Sequence, residues 1–309
     1  MRRSPLTTKI TIISGFLGAG KTTFLKKIIP SLGGKIVLIE NEFGNIGIDG
    51  DLMDKELPIK EINSSCICCS GIVDFKIAID ELTTQFRPDH LMIEPSGVGS
   101  LSDIIKVCRK VCEKAPNAIS LNHLITIVDV SAFDDYSENF GGFYLDQIKH
   151  AQIIFLSHFE SIDHQEAEKV ISRIREYNHS AYILEEEWFS YEGDKLVDIL
   201  NTIESCEIES NQKTSLLPAN KLFSTVSFAH PRIFSESEID GMFISLKDQE
   251  NGNILRAKGI IELDTNQLIS FQFTPHHYQW DYLKEAKETK IAVIGSQLNQ
   301  EKITELFLG

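Results

Sequence analysis

The sequence predicts an α/β protein in two parts: a domain built on a mainly parallel sheet with crossover helices, then a smaller C-terminal α+β domain. Three observations predict it. Short apolar runs alternate with longer helix-like segments between residues 10 and 184, a glycine-rich loop ending in Lys21 and Thr22 follows the first run, and the alternation breaks at a polar stretch near residues 204–220 closed by Pro218. The 309 residues, 42% hydrophobic and 24% charged, have the composition of a globular chain and exclude a disordered or fibrous one.

The predicted strands of the first domain are Ile10–Ser14, Lys35–Glu40, His90–Glu94, Leu124–Val128, Ile153–Leu156 and Ala181–Leu184. Ile72, Phe75, Ile79, Leu82 and Phe86 recur at steps of three and four and predict one apolar helix face. Domain boundaries follow at 1–205, a linker at 206–220 and a second domain at 221–309. There LFSTVSF, NILRAKGIIEL, LISFQF and KIAVIG read as strands, while Ser235–Leu246 and Gln300–Leu308 read as helices.

Charge and cysteine content narrow the function classes. Lys plus Arg number 30 against 45 Asp plus Glu, a net charge of −15, so the chain repels phosphate backbones and nucleic acid is not an expected partner. Six cysteines are too sparse for a disulfide scaffold, and three crowd into four positions, which suits a reducing compartment and a cytoplasmic location. Arg2 and Arg3 before an apolar stretch imitate a twin-arginine signal, but Lys9 interrupts the run, which leads straight into the glycine-rich loop. No stretch is apolar and long enough to predict a membrane span.

The strongest chemical signal is Gly15-Phe-Leu-Gly18-Ala19-Gly20-Lys21-Thr22, a G-x-x-x-x-G-K-[ST] loop between a strand and a helix. Its glycines let backbone N–H groups converge on phosphate oxygens at a helix N-terminus. Lys21 would neutralise the β and γ phosphates, and the Thr22 hydroxyl would ligate Mg²⁺. The fold class sharpens accordingly to a P-loop nucleotide-hydrolase domain.

Glu94-Pro95-Ser96-Gly97 follows the apolar run Leu91–Ile93. A carboxylate at the end of an inner strand can organise Mg²⁺ or an attacking water, and Gly97 can bring its N–H to the γ phosphate. Alone, this motif is ordinarily a strand end and turn; beside the first it reads as a phosphate sensor.

Cys66-Ile67-Cys68-Cys69 is the second unusual feature. Three thiols in four residues can bind Zn²⁺, Cu(I) or another thiophilic ion, leaving one position for a carboxylate, His or water, and an incomplete cage suits transfer. Inert buried cysteines and a redox pair compete with that reading, although C-x-C matches a redox pair poorly.

GFLGAGKTT, IENEFGNIGID, CICC and MIEPSG, in this order and spacing, resemble the CobW-like branch of the P-loop GTPases that also include UreG and HypB metal-handling proteins. ITIVDVSAF resembles the strand before the family's base-recognition segment, and LRAKGII with KIAVIGSQLNQEKITELF resembles its smaller C-terminal domain. The resemblance implies a GTP-hydrolysing metallochaperone or insertase, with zinc the first cargo to consider. It assigns Gly18, Gly20, Lys21, Thr22 and Thr23 to phosphates and Mg²⁺, with Gly15 and Ala19 completing the loop. Glu94 and Gly97 become the γ-phosphate sensors, and Cys66, Cys68 and Cys69 the metal ligands. Glu42 falls in the switch region as a carboxylate linking the Mg²⁺ and thiolate sides, with Asp49 a helper. A client metalloprotein and a nucleotide-dependent homodimer follow from the same resemblance.

One segment departs from the family. Where its members usually read Asn-Lys-x-Asp, this chain has Ser157, His158 and Glu160 at the informative positions. Glu160 can still accept from a guanine, but with a different reach, so GTP and another nucleotide such as ATP both stay open. A lesser departure is Ser65 where Gly is usual. Cys108 and Cys112, one helical turn apart, read as small core residues before they read as an accessory metal site. His230, His276 and His277 default to turn or half-buried residues, and Glu185–Glu187 to a solvated loop. Two further readings remain: support of cobalt, corrinoid or other metallocofactor assembly, and a non-catalytic metal sensor.

Overall fold

The computed structural model describes residues 7–41, 59–62, 72–206, 223–286 and 288–309. Glu42, Asp49, the three clustered cysteines Cys66, Cys68 and Cys69, and nearly all of the expected linker lie outside the described residues. The chain divides into two compact units, and each is described by itself.

Among the described residues of the first unit, seven parallel strands form one sheet. They are β1 (Thr8–Gly15), β2 (Ile36–Asn41), β3 (Ile59–Ile62), β4 (His90–Glu94), β5 (Ile119–Asp129), β6 (Ile153–Ser157) and β7 (Tyr182–Leu184), in the order β3-β2-β4-β1-β5-β6-β7. The helices are α1 (Lys21–Ile28), α2 (Ile72–Phe86), α3 (Leu101–Lys114), α4 (Phe133–Lys149), α5 (His164–Tyr177) and α6 (Gly193–Asn201). With β4 and β5 on opposite sides of β1, the chain reverses its direction of travel across the sheet at its centre, where α/β folds open a crevice at the carboxyl ends of their strands.

Both sheet faces are covered, which is why β1 reads as a nearly unbroken apolar run. On one face Phe75, Ile79 and Leu82 of α2 and Ile104, Val111 and Cys112 of α3 pack against Ile10, Ile12, Leu91 and Ile93. On the other, Phe24, Leu25 and Ile28 of α1 and Leu196 and Leu200 of α6 pack against Ile13, Met92 and Ile125. The α2 periodicity thus does what the sequence predicts of it. Cys108 and Cys112 sit inside the first of these cores. Burial pushes both thiols up, so they act as small apolar residues and the accessory metal site falls away.

The second unit carries an antiparallel sheet of five strands among the described residues, in the order β11-β10-β9-β12-β8. These are β8 (Ser224–Ala229), β9 (Asn253–Glu262), β10 (Leu268–Phe273), β11 (Tyr278–Leu283) and β12 (Lys290–Ser296), with helices α7 (Ile239–Lys247) and α8 (Gln300–Leu308). Phe243 and Leu246 of α7 and Ile303 and Phe307 of α8 form its core with Ile261, Phe271 and Val293. The expected helix from Ser235 begins instead with a 3-10 turn at Glu236–Glu238, closed by a capping box in which the Glu238 carboxylate accepts from Ser235 N–H at 2.7 Å.

Two strands were not predicted. In β3 the sequence Ile-Lys-Glu-Ile has no period of two, whereas β11 does carry one in Tyr278, Trp280 and Tyr282, hidden by reading the neighbouring histidines as a turn.

Candidate functional site

The phosphate-binding loop runs from the end of β1 into α1, as the motif requires. Gly20 precedes α1 with φ +103°, a left-handed conformation that glycine adopts freely. α1 has no acidic residue in its first turn and carries Lys26 and Lys27 in its last, so its positive end is unneutralised where phosphates would sit. Lys21 is only 5% exposed, and its Nζ donates to the carbonyl of Phe16 at 3.2 Å, folding the ammonium back over the loop. Thr23 is exposed, while Ala19 is buried with its N–H donating to Phe16 O at 3.3 Å.

The second expected element stands directly beside the first. Thr22 Oγ1 donates to the Glu94 carboxylate at 3.1 and 3.3 Å, joining the loop to the end of β4. Glu94 is 8% exposed, and a buried carboxylate has to be compensated by cations or donors. A β-carbon at Gly97 would lie 2.8 Å from Leu17 N and 2.7 Å from Leu17 Cδ2, so the turn after Glu94 touches the loop through a residue that must lack a side chain. The structure therefore brings Lys21, Thr22, Glu94 and Gly97 together.

Sequence reasoning missed Glu40. It is the penultimate residue of β2, in register beside Glu94, and is 3% exposed, which sets two buried carboxylates side by side on adjacent strands. The signal was present, since Ile36–Glu40 is an apolar run ending in Glu, as Leu91–Glu94 is. Also unforeseen is the bracing of the sensor turn by α4: Gln147 and Asp146 hydrogen-bond to residues 97–102.

The end of β6 and the residues after it also contact the loop. Ser157 is fully buried, and its hydroxyl donates to Ala19 O at 2.8 Å, with Val128 O also near at 3.3 Å. Its role in this geometry is to brace the phosphate loop. His158 takes φ +62°, with its Nε2 3.4 Å from Gly18 O and its Nδ1 3.4 Å from a carboxylate oxygen of Glu160, whose side chain is solvent-exposed. Trp188 and Phe189 stack at 4.2 Å between centroids, and the Phe189 ring edge comes within 3.3 Å of where a Gly20 β-carbon would be. This is an aromatic shelf beside His158, directly after the Glu185–Glu187 stretch, that the sequence reading did not single out.

No helix among the described residues is long and apolar enough to cross a membrane.

The family model described as CobW/HypB/UreG, nucleotide-binding domain, matches residues 9–185, and the Cobalamin synthesis protein cobW C-terminal domain matches residues 223–309. The zinc chaperone YjiA of Escherichia coli is 28% identical over 97% of this chain and 98% of its own length. The zinc-regulated GTPase metalloprotein activator 1 of Saccharomyces cerevisiae is 23% identical over 96% of this chain and 82% of its own length. The crystal structure of Zn(II)-bound YjiA GTPase from E. coli superposes with a TM-score of 0.44 at 22% identity, covering 97% of this chain and 98% of that one. With a phosphate loop, a strand-end glutamate bonded to its threonine, and family models covering both units, the chain belongs to the CobW/HypB/UreG family.

Proposed function

We propose that the chain is a GTP-hydrolysing, nucleotide-gated metallochaperone or metal insertase with zinc as its cargo. The observation that carries this reading is the bond from Thr22 to Glu94, which couples the phosphate loop to the sensor turn within a family whose relatives are named zinc chaperones and a zinc-regulated GTPase. Backbone N–H groups of residues 18–22 cradle the phosphates, Lys21 neutralises the β and γ oxygens, and Gly97 presents its N–H to the γ phosphate. The Thr22 hydroxyl and the Glu94 carboxylate are hard oxygen donors of the type Mg²⁺ takes; when bound there, the ion neutralises charge on the phosphates.

Cys66, Cys68 and Cys69 hold the transferred ion as thiolates, and Glu42 links their loop to the nucleotide. Triphosphate orders that segment and hydrolysis releases it, so metal grip follows nucleotide state. The base sits beyond Ser157, against His158 and Glu160, with GTP favoured and ATP the competitor to be excluded. The boundaries 1–205, 206–220 and 221–309, a cytoplasmic location, a client metalloprotein and a nucleotide-dependent homodimer belong to the same proposal.

Phosphate release from GTP and from ATP, each with and without stoichiometric zinc and with Lys21→Ala as control, tests it. Turnover favouring GTP and shifting with zinc is the expected result. No turnover would replace the hydrolase with a non-catalytic sensor.

A further inference from the structure

Helix α4 grips both halves of the nucleotide site. Tyr136, Phe140 and Tyr144, on both sides of the kink at Phe140, surround Phe16 of the phosphate loop at centroid distances of 4.6, 5.6 and 5.6 Å. From its C-terminal side, Gln147, 1% exposed, donates through Nε2 to the carbonyls of Gly97 and Gly99, both at 3.0 Å. Next to it, a carboxylate oxygen of Asp146 accepts from Ser100 Oγ and from Ser102 N–H, both at 3.0 Å. Gln147 is itself anchored to the sheet, because Thr126 Oγ1 on β5 donates to its carbonyl at 2.9 Å.

The turn at 97–99 is short and rich in glycine, with one internal backbone bond, Gly99 N–H to Ser96 O at 2.8 Å. Such a segment has many accessible backbone states, so its orientation must be set from outside. A single carboxamide whose two N–H groups meet two carbonyls of the turn fixes both peptide planes at once. Gly97 lies against Leu17, so a rotation of the turn would change the gap between the Gly97 N–H and the phosphate loop.

We propose that Gln147 is a positioning residue for hydrolysis: its carboxamide, bonded to Gly97 O and Gly99 O, holds the sensor turn so that Gly97 meets the γ phosphate. This rests on the hydrolase reading above. The carboxamide of Gln147 donates to the sensor turn and not to the phosphate loop in the bonds described, so its removal should act on the γ phosphate and spare the diphosphate.

The test compares Gln147→Leu, Gln147→Glu and Asn178→Leu in the full chain. Asn178 is a matched control: its Nδ2 donates to Ile148 O and Ala151 O, both at 2.8 Å, at and just past the C-terminal end of α4 and away from residues 97–99. Gln147→Leu should lower single-turnover GTP hydrolysis by about 10- to 100-fold while leaving fluorescent GDP affinity within about twofold. Gln147→Glu, whose buried carboxyl faces two carbonyls and therefore stays protonated, keeps one donor and should recover part of the rate, with the recovery lost as pH rises. Asn178→Leu should lower the thermal midpoint but keep the wild-type rate.

A Gln147→Leu protein that hydrolyses GTP normally, or one that loses GDP affinity and rate together, would overturn the proposal. So would an equal rate loss in Asn178→Leu. Absence of hydrolysis by the unaltered chain would refute the hydrolase reading and this proposal with it, whereas wild-type turnover with an unaffected Gln147→Leu refutes this proposal alone.

Discussion

Gly97→Ala probes the contact between the sensor turn and the phosphate loop. Ordinary van der Waals separation from a β-carbon begins at 3.4 Å, and the new methyl would meet Leu17 N at 2.8 Å, so loop and turn must part by about 0.6 Å. Leu17 Cδ2, at 2.7 Å, can swing aside, but the backbone nitrogen cannot. The Gln147 bonds to Gly97 O and Gly99 O resist the turn's retreat from the other side. Overpacking of this kind costs about 1–3 kcal/mol. That corresponds to a fall in thermal midpoint of roughly 2–4 °C for each kcal/mol. A displacement of this size at a reacting centre lowers the rate by about 10- to 100-fold. Phosphate release at saturating GTP, alongside fluorescent GDP titration and a melting curve, reads all three quantities. The reasoning predicts slow hydrolysis with nearly normal GDP binding, and unchanged hydrolysis in Gly97→Ala would refute it.

Other outcomes follow from buried groups. Ser157→Ala removes the donor to Ala19 O and should destabilise the chain by about 1–2 kcal/mol in urea unfolding, with weaker nucleotide retention; an unchanged midpoint would deny the bracing role. Cys108 and Cys112, whose thiols burial pushes up, should resist iodoacetamide at pH 8 until the chain unfolds, as peptide mapping would show, and fast labelling of the native chain would contradict their place in the core. Burial opposes ionisation of Asp146, but the hydrogen bonds from His150, Ser102 N–H and the Ser102 hydroxyl outweigh it and hold the carboxyl below its ordinary value of 3.8. A depressed folded pKa gives stability that is present above the unfolded pKa and lost as pH falls through the folded one. Unfolding free energy should therefore drop on acidification below about pH 5, and Asp146→Asn should flatten that slope; an equal slope in both proteins would count against it.

Much of the first unit is legible because its buried parallel strands leave long apolar runs and its loop chemistry needs glycine at fixed spacing. Boundaries were less legible: β5 begins at Ile119, five residues before the predicted Leu124, because Ser120, Asn122 and His123 break the run while the ladder to β1 continues. Lys21, Thr22, Glu94 and Gly97, which the structure brings together, could be singled out from sequence because a glycine-rich loop leads from β1 into α1 and a glutamate closes β4. Glu40 shows the same signature and went unread beside the neighbouring NEFG segment. Gln147 and Asp146 carry no such signal, since a helix residue that hydrogen-bonds to a distant turn looks like any polar residue until the fold places them side by side. Ser157 reads from the sequence as a shorter replacement for the Asn that braces this loop in the family, and its hydroxyl donates to Ala19 O.

The central claim is that nucleotide state sets metal affinity. Zinc affinity measured by competition with a chromophoric chelator, once with a non-hydrolysable GTP analogue and Mg²⁺ and once with GDP and Mg²⁺, tests it most directly. The account predicts tighter zinc binding in the triphosphate state, with zinc tightening the triphosphate analogue relative to GDP by the same factor. Equal zinc affinity in the two states would contradict it.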